Sequence, residues 1–257
     1  MPELPEVETL CRQLRKKICG RPILASEVYD EKLAGIKNTK GRNVSAVERR
    51  GKTINVFLNN GNLISIHLRM TGRLLWQKDS EKPQYSRWKM TFNNGYIFLV
   101  DPRRFATVTI HKTIPSKMRN DLLTGFDEKT FIAQQAVRKI NVKILLMEPK
   151  ALAGIGNIYA CEILHQSGVS PLRHASSLSK EEWTKVFNES RSILKRGIEK
   201  RGTSISDWRD LFGCPGEYQH ELKAYGQENK RCAICGGTIC RIKQGGRSTF
   251  YCPHCQK

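Results

Sequence analysis

The chain contains no apolar run approaching the ~20 residues that a membrane-spanning helix needs. It also lacks a secretory leader: its first residues are acidic and amphipathic, where a leader would be basic and then apolar. A cytosolic or nucleoid location is therefore expected. Internal repeats and low-complexity tracts are absent, which sets aside repeat architectures and disordered polar tails. Acid is the scarce class. Asp and Glu number 24 against 44 Lys and Arg, and the net charge of +20 is spread along all 257 residues. A folded protein this basic either binds a polyanion or carries self-repulsion to no purpose. Nucleic acid is the first expectation and an anionic membrane the second. The length suggests two domains, each able to bury a core. Nine cysteines in a cytosolic chain argue for a metal site and free thiols, not a disulfide framework.

Leu4 to Ile18 reads as a helix, with Val7, Leu10, Cys11, Leu14 and Ile18 at helical spacing. Glu3, Glu6 and Glu8 lie at its start, Arg15, Lys16 and Lys17 at its end, and Gly20 stops it. From Pro22 to Lys112 the pattern changes to short β-rich runs, among them Thr53–Leu58, Leu63–Leu68, Trp88–Phe92 and Tyr96–Val100. Asn59-Asn60-Gly61 and Asn93-Asn94-Gly95 separate them, and Asn-Gly between alternating runs is a strong hairpin signal. Such strands suggest a β-sandwich with the helix lying on it. A polar connection near Thr113–Gly125 is the candidate hinge. Helical patterns follow at Glu128–Lys139, Asn141–Met147, Asn157–Gln166 and Ser179–Lys200, the last opened by the capping box Ser179-Lys180-Glu181-Glu182. The segment from Lys230 to Lys257 reads as a cysteine-bearing hairpin.

Cys232-Ala233-Ile234-Cys235 and Cys252-Pro253-His254-Cys255 form a C-x₂-C…C-x₂-C pattern whose spacing closes a tetrahedral zinc site across a β-hairpin. Four thiolates leave no open position for a substrate, so the zinc is structural; Cys240 has no matching partner and is left out. Between the pairs, Gly245 and Gly246 allow close backbone approach to a nucleic acid, with Arg247 at the tip on phosphate or in a groove. Taken alone, Arg247 reads more readily as a solvated turn residue. Ala153-Gly154-Ile155-Gly156-Asn157 feeds a helix start, an arrangement suited to anions; Asn157 either caps that helix or donates to phosphate. Asp101-Pro102-Arg103-Arg104-Phe105 and His67-Leu68-Arg69-Met70-Thr71-Gly72 each follow a strand. Separately they are compatible with core and surface charge; together they suggest a wedge of apolar tips and arginine. Arg49-Arg50-Gly51-Lys52 is either a solvated corner or a phosphate clamp.

The first residues bear on chemistry. Methionine aminopeptidase removes Met1 before a small residue such as Pro2, which would leave a secondary amine beside Glu3. An α-amino group titrates near ~8, so part of it is neutral and nucleophilic at physiological pH, and the neighbouring acid can move protons. The plainer alternative is that Pro2 sits where its fixed φ suits the approach to a helix.

Taken together, these residues resemble the bacterial formamidopyrimidine-DNA glycosylases from Met1 to Lys257. The landmarks are MPELPEVET, HLRMTG, DPRRF, GIGNIYACEIL, GTSISDW with CPGEYQHELKAYG, and GGRSTFYCPHCQ. The resemblance implies a bifunctional DNA glycosylase/AP lyase of base excision repair. Such an enzyme removes 8-oxoguanine and formamidopyrimidines through a Schiff base on the N-terminal proline, followed by β,δ-elimination. By position, Pro2 would be the nucleophile, Glu3 the acid that protonates the opening sugar, Lys52 the base for β-elimination, and Arg247 the hairpin arginine of δ-elimination and phosphate binding. Met70, Arg103 and Phe105 match the intercalating trio, with Arg104 beside them; His67, Lys150, Asn157 and Tyr159 fall along the DNA backbone path.

The implied fold is α+β. An N-terminal helix on a β-sandwich spans 1–113, a hinge 114–127, a helix-two-turns-helix domain 128–227 and a zinc finger 228–257 with one structural Zn2+. The implied partner is double-stranded DNA carrying oxidised bases or abasic sites, met by a monomer in the bacterial nucleoid. Two rivals are the related endonuclease-eight branch for oxidised pyrimidines, against which Leu4 speaks, and a non-catalytic zinc protein that only binds damage. Departures from the family are Ala106 where DPRRF is usually followed by glycine, and Gln84 where a phosphate-contacting histidine is expected. Arg87 is a nearby cation.

Overall fold

A computed structural model describes residues 1–36, 39–112 and 120–257; the first part of the hinge expected over 114–127 lies outside them. The chain divides into two compact units, Met1–Pro115 with Ile198–Glu217, and Ser116–Gly197 with Tyr218–Lys257.

In the first unit, α1 (Leu4–Ile18) forms where periodicity and end charges coincide. Leu4, Val7, Leu10, Cys11, Leu14 and Ile18 are buried along one face, with Arg15, Lys16 and Lys17 in the last turn. The strands are β1 (Ala25–Val28), β2 (Val44–Arg50), β3 (Thr53–Leu58), β4 (Leu63–His67), β5 (Arg73–Gln77), β6 (Ser86–Phe92), β7 (Gly95–Val100) and β8 (Thr107–His111). They form two four-stranded sheets, ordered β1-β6-β7-β5 and β2-β3-β4-β8, and every recorded pairing in them is antiparallel. Both sheets and α1 feed one core, where Leu10, Leu14, Ile54, Ile66, Trp88 and Leu99 meet.

The second unit carries α2 (Glu128–Gln134), α3 (Val142–Leu146), α4 (Asn157–Ser167) and most of α5 (Lys180–Glu199), with the hairpin β9 (Cys240–Gln244) and β10 (Arg247–Tyr251). The capping box at Ser179 is made in both directions. Glu182 accepts the Ser179 N–H at 2.8 Å and the Ser179 hydroxyl accepts the Glu182 N–H at 3.2 Å. Trp183 and Phe187 of α5 stack on each other and meet Phe131 of α2 edge-on, with Phe126 against Phe131 and Phe187, all at ring-centroid distances of 5.2 to 5.6 Å. α2 ends at Gln134, short of the helix expected to Lys139, and Val137 beyond its end is 64 % exposed.

Residues 198–217, expected with the helical domain, pack instead with the first unit. The Glu6 carboxylate of α1 accepts the Thr203 N–H at 2.7 Å. The Gln13 amide donates to Asp210 at 2.8 Å and its carbonyl accepts from Leu211 N at 2.9 Å, while the Leu211 carbonyl takes the Trp76 N–H. Gly202 makes the approach possible. Its φ is +82°, and a Cβ there would lie 2.6 Å from the Glu6 side chain.

Gly202→Ala should therefore cost strain and a clash, about 3 kcal/mol, lowering Tm by roughly 6–12 °C. Gly20 has φ +77° with nothing within 4 Å of its Cβ position, so Gly20→Ala should lower Tm by only about 2–4 °C. Thermal unfolding of the two variants side by side checks this; equal losses would contradict the packing described.

Candidate active site and nucleic-acid interface

Pro2 and Glu3 precede α1 and are both buried, while Met1 is 50 % exposed. The local reason is a capping box built from two acids. Glu3 and Glu6 each accept the other's backbone N–H, with Glu3 N to Glu6 Oε2 at 2.7 Å. One Glu6 oxygen thus holds the chain beside Pro2 and the other holds Thr203.

The basic turn after β2 splits into two roles. Arg49 turns inward, 4 % exposed, and bonds Glu8 at 3.2 Å and the Gly51 carbonyl at 3.1 Å, so it does not serve the phosphate clamp considered for this turn. Lys52 stands half-buried at the start of β3. Across the β3–β4 ladder Thr53 pairs with His67, which brings His67 near Lys52. Burial, then the charges of Arg69 and Lys52, push the His67 imidazole down to about 4. Its Nδ1 accepts the Arg69 N–H at 3.1 Å, which leaves the proton on Nε2. A neutral ring with one N–H left to donate suits contact with a phosphate oxygen.

The loops bearing Met70, Arg103 and Phe105, expected to form a wedge, share a hub. Met70 is 57 % and Phe105 45 % exposed, and the Arg103 guanidinium lies 4.6 Å from the Phe105 ring centroid. Both tips are aimed by Asp101, itself 1 % exposed. Its carboxylate accepts the Thr71 hydroxyl at 2.5 Å, the Arg103 N–H at 3.2 Å and the Ala106 N–H at 2.7 Å, so the two loops share one anchor. Gly72 permits their contact, since a Cβ there would sit 2.8 Å from the Ala106 Cβ. Ala106 is absent from the residues with positive φ, so the methyl it carries in place of the family's glycine is unstrained.

Arg87 does not take over for a missing histidine. It is 3 % exposed and bonds Asp30 at 2.5 Å, the Ala106 carbonyl at 2.7 Å and Asp101 at 3.3 Å. Arg104, expected on DNA, folds back and grips Asp30 through Nε at 2.9 Å and a terminal nitrogen at 2.6 Å. Arg104, with Arg87, holds the Asp30 carboxyl well below the usual carboxylate range.

In the second unit Lys150 and Arg247 are exposed. Two turns separate α3 from α4, and Gly156, not Asn157, is the N-cap of α4. Asn157 makes no cap; its Nδ2 donates to the Ser248 carbonyl at 2.9 Å and its Oδ1 accepts from Lys143 Nζ at 2.6 Å. Lys143 is wholly buried and also reaches Thr249 Oγ1 at 2.6 Å and the Ser248 carbonyl at 3.2 Å. That cation joins α3, the start of α4 and the strand bearing Arg247. Tyr159, expected along the DNA path, is fully buried and stacks on Tyr218 at 5.5 Å; it supports the core instead of facing a ligand. No sequence motif marked Glu6, Asp30, Asp101 or Lys143 as organisers. Lys143 had one signal, a lone charge inside the apolar run Val142–Leu146.

Cys232, Cys235, Cys252 and Cys255 bring their sulfurs within 4.8 Å of one another. The separations recorded are 3.7 Å for Cys232–Cys255 and 3.5 Å for Cys235–Cys252. A zinc–sulfur bond of ~2.3 Å in a tetrahedron requires sulfurs ~3.8 Å apart, so the donor set fits one zinc with every ligand position filled. Cys240 is not among the four.

Family models match almost end to end: the formamidopyrimidine-DNA glycosylase N-terminal domain over residues 1–108, its H2TH domain over 119–208, and the zinc finger found in FPG and IleRS over 229–257. The formamidopyrimidine-DNA glycosylase of Carboxydothermus hydrogenoformans is 39 % identical over 267 residues, covering all of both chains. That of Desulfitobacterium hafniense is 37 % identical with the same coverage. Among solved structures, Lactococcus lactis Fpg in complex with abasic-site DNA superposes with a TM-score of 0.90 at 29 % identity over 99 % of each chain. MutM in complex with DNA containing carbocyclic 8-oxo-G gives 0.90 at 30 % over 100 % of each. An α+β protein with a helix-capped sandwich, a helix-two-turns-helix unit and a zinc finger is thereby defined, and the chain belongs to the formamidopyrimidine-DNA glycosylase family.

Two measurements check the site geometry. Thr71→Val removes one bond to Asp101 without changing side-chain volume, at about 1–2 kcal/mol. It should weaken binding to lesion DNA about tenfold while binding to undamaged duplex changes little. Unchanged lesion affinity would show that Asp101 does not aim Met70. The ring-proton NMR shifts of His67 should stay flat from pH 8 to 5.5, whereas titration near ~6.5 would contradict its burial. Because its folded-state value lies below the unfolded one, His67 contributes stability that is complete above ~6.5 and lost as pH falls toward 4.

Proposed function

We propose that the protein excises oxidised purines, 8-oxoguanine and formamidopyrimidines, from duplex DNA and then cuts the strand at the resulting abasic site. The observation that carries this is the start of α1, where Pro2 and Glu3 are fixed by the Glu6 cap, in the same unit as Lys52, His67 and the Met70–Arg103–Phe105 wedge. Damage-binding alone would need the wedge but no amine held beside an acid.

In this reading Met1 is removed and the Pro2 nitrogen becomes the N-terminus. The wedge fills the stack as the damaged nucleotide turns out, offsetting the few kcal/mol that flipping costs, and Arg103 faces the orphaned base. Glu3 protonates the sugar ring oxygen, the Pro2 nitrogen attacks C1′, and the base leaves. The imine acidifies the C2′ proton, which Lys52 accepts in this reading; β-elimination releases the 3′ phosphate and δ-elimination the 5′ phosphate, with Arg247 on the phosphates. His67 donates through Nε2 to the backbone. Lys150 and the Asn157 amide give further backbone contacts, while Arg104 steadies the wedge loop through Asp30. The zinc holds the Arg247 hairpin in shape and takes no part in bond making. The protein acts as a monomer in the bacterial cytoplasm, at the nucleoid, with 1–113 as catalytic domain and 228–257 as zinc finger.

The test is a panel of lesion duplexes under single-turnover conditions, resolved on a denaturing gel. Excision from 8-oxoguanine opposite cytosine should exceed that from thymine glycol by at least tenfold and leave a gap with phosphate at both ends. Equal or faster pyrimidine excision would assign the chain to the pyrimidine-directed branch, and intact strands would make it a binding protein.

A further inference from the structure

The zinc reading above assigns four cysteines, yet a fifth residue meets the cluster from α4. His165 is wholly buried, and its Nε2 lies 3.2 Å from the Cys232 sulfur, 67 residues away in sequence. We propose that His165 is an outer-shell residue of the zinc site, donating its Nε2–H to the Cys232 thiolate and so slowing loss of the metal. The proposal rests on the zinc-finger reading.

The direction of the bond follows from the ligand chemistry. A cysteine that holds zinc has lost its proton, so the hydrogen between these atoms belongs to nitrogen. The other ring atom agrees: Nδ1 is buried with no hydrogen-bond partner among the described residues, as suits a lone pair more than an N–H. A phenylalanine or leucine would fill the space as well, so packing does not explain why an imidazole nitrogen points at sulfur. Cys232 also lies 3.4 Å from the Ile234 N–H. Each N–H···S bond draws electron density from the thiolate, fixes its orientation and lowers its nucleophilicity toward alkylating and oxidising agents.

The placement gives the bond a second consequence. One turn before His165, Cys161 packs with Cys232, Cys252, Ile239 and Phe250. Between them, the Glu162 carboxylate accepts the N–H groups of Lys223, Ala224 and Tyr225 at 2.9, 2.9 and 2.7 Å. The chain entering the zinc hairpin is therefore fastened to α4 just where His165 meets its first ligand. Asn157 begins the same helix, about 12 Å away.

The experiment uses the full-length protein loaded with zinc, unmutated and as His165→Phe and His165→Gln. Elemental analysis should give one zinc per chain in all three; absence of zinc from the unmutated protein would refute the metal site, and this proposal with it. After N-ethylmaleimide or hydrogen peroxide, zinc release to a chromophoric chelator should be about tenfold faster in His165→Phe. His165→Gln keeps an N–H in reach and should return toward the unmutated rate. With cobalt in place of zinc, the sulfur-to-metal charge-transfer band should move to lower energy in His165→Phe alone. A native release rate with an unmoved band would overturn the proposal and leave His165 a space-filler. Should the variants fail to fold, the unmutated protein loaded with cadmium-113 decides. Scalar coupling between the His165 Nε2 proton and the metal requires the bond through sulfur, and its absence overturns the proposal.

Discussion

One buried carboxylate sets the geometry of the first unit. Glu6 spends one oxygen on the Glu3 N–H and the other on the Thr203 N–H, at 2 % exposure. A carboxylate out of water must find donors or take up a proton, and here it takes the backbone N–H groups of two segments that need fixing. The first is the residue bonded to Pro2. The second opens the stretch 202–217, which is further tied to α1 through Gln13. The helix thus organises both the chain at Pro2 and the segment 202–217.

The same device recurs elsewhere. Asp101 gathers the two wedge loops through Thr71, Arg103 and Ala106, Glu162 collects three consecutive N–H groups ahead of the zinc hairpin, and Asp30 holds Arg87 and Arg104. With only 24 acids among 257 residues and a net charge of +20, these carboxylates are placed inside, where they order loops. The surplus of base is left to attract a polyanion. Scarcity of acid and precision of the loops are two sides of one arrangement.

Local order was legible where one signal repeated itself. α1 has the bounds its periodicity and end charges gave, and the Asn-Gly turns delimited β3, β4, β6 and β7 because those strands carry strong apolar patterns. β1, β2, β5 and β8 were not among the named runs; all four lie at sheet edges, where burial along the strand is incomplete and the apolar pattern is weaker. Candidate site residues could be proposed from motifs because loops carry chemistry in short runs. The carboxylate hubs could not. Glu6 acts on a residue 197 positions away, and nothing in a local window marks such a bond. Arg87 and Tyr159 show the converse: a cation and an aromatic in suggestive positions that the core claims for itself.

The account turns on the Pro2 nitrogen, and borohydride trapping tests it directly. Added during turnover on 8-oxoguanine duplex, borohydride should reduce the imine and join protein to DNA. Mass spectrometry should place the link on Pro2 in chains that have lost Met1, and protein forced to retain Met1 should bind DNA without being trapped. A crosslink on Lys52 or any other lysine of the unmutated protein, or trapping that survives retention of Met1, would contradict the mechanism.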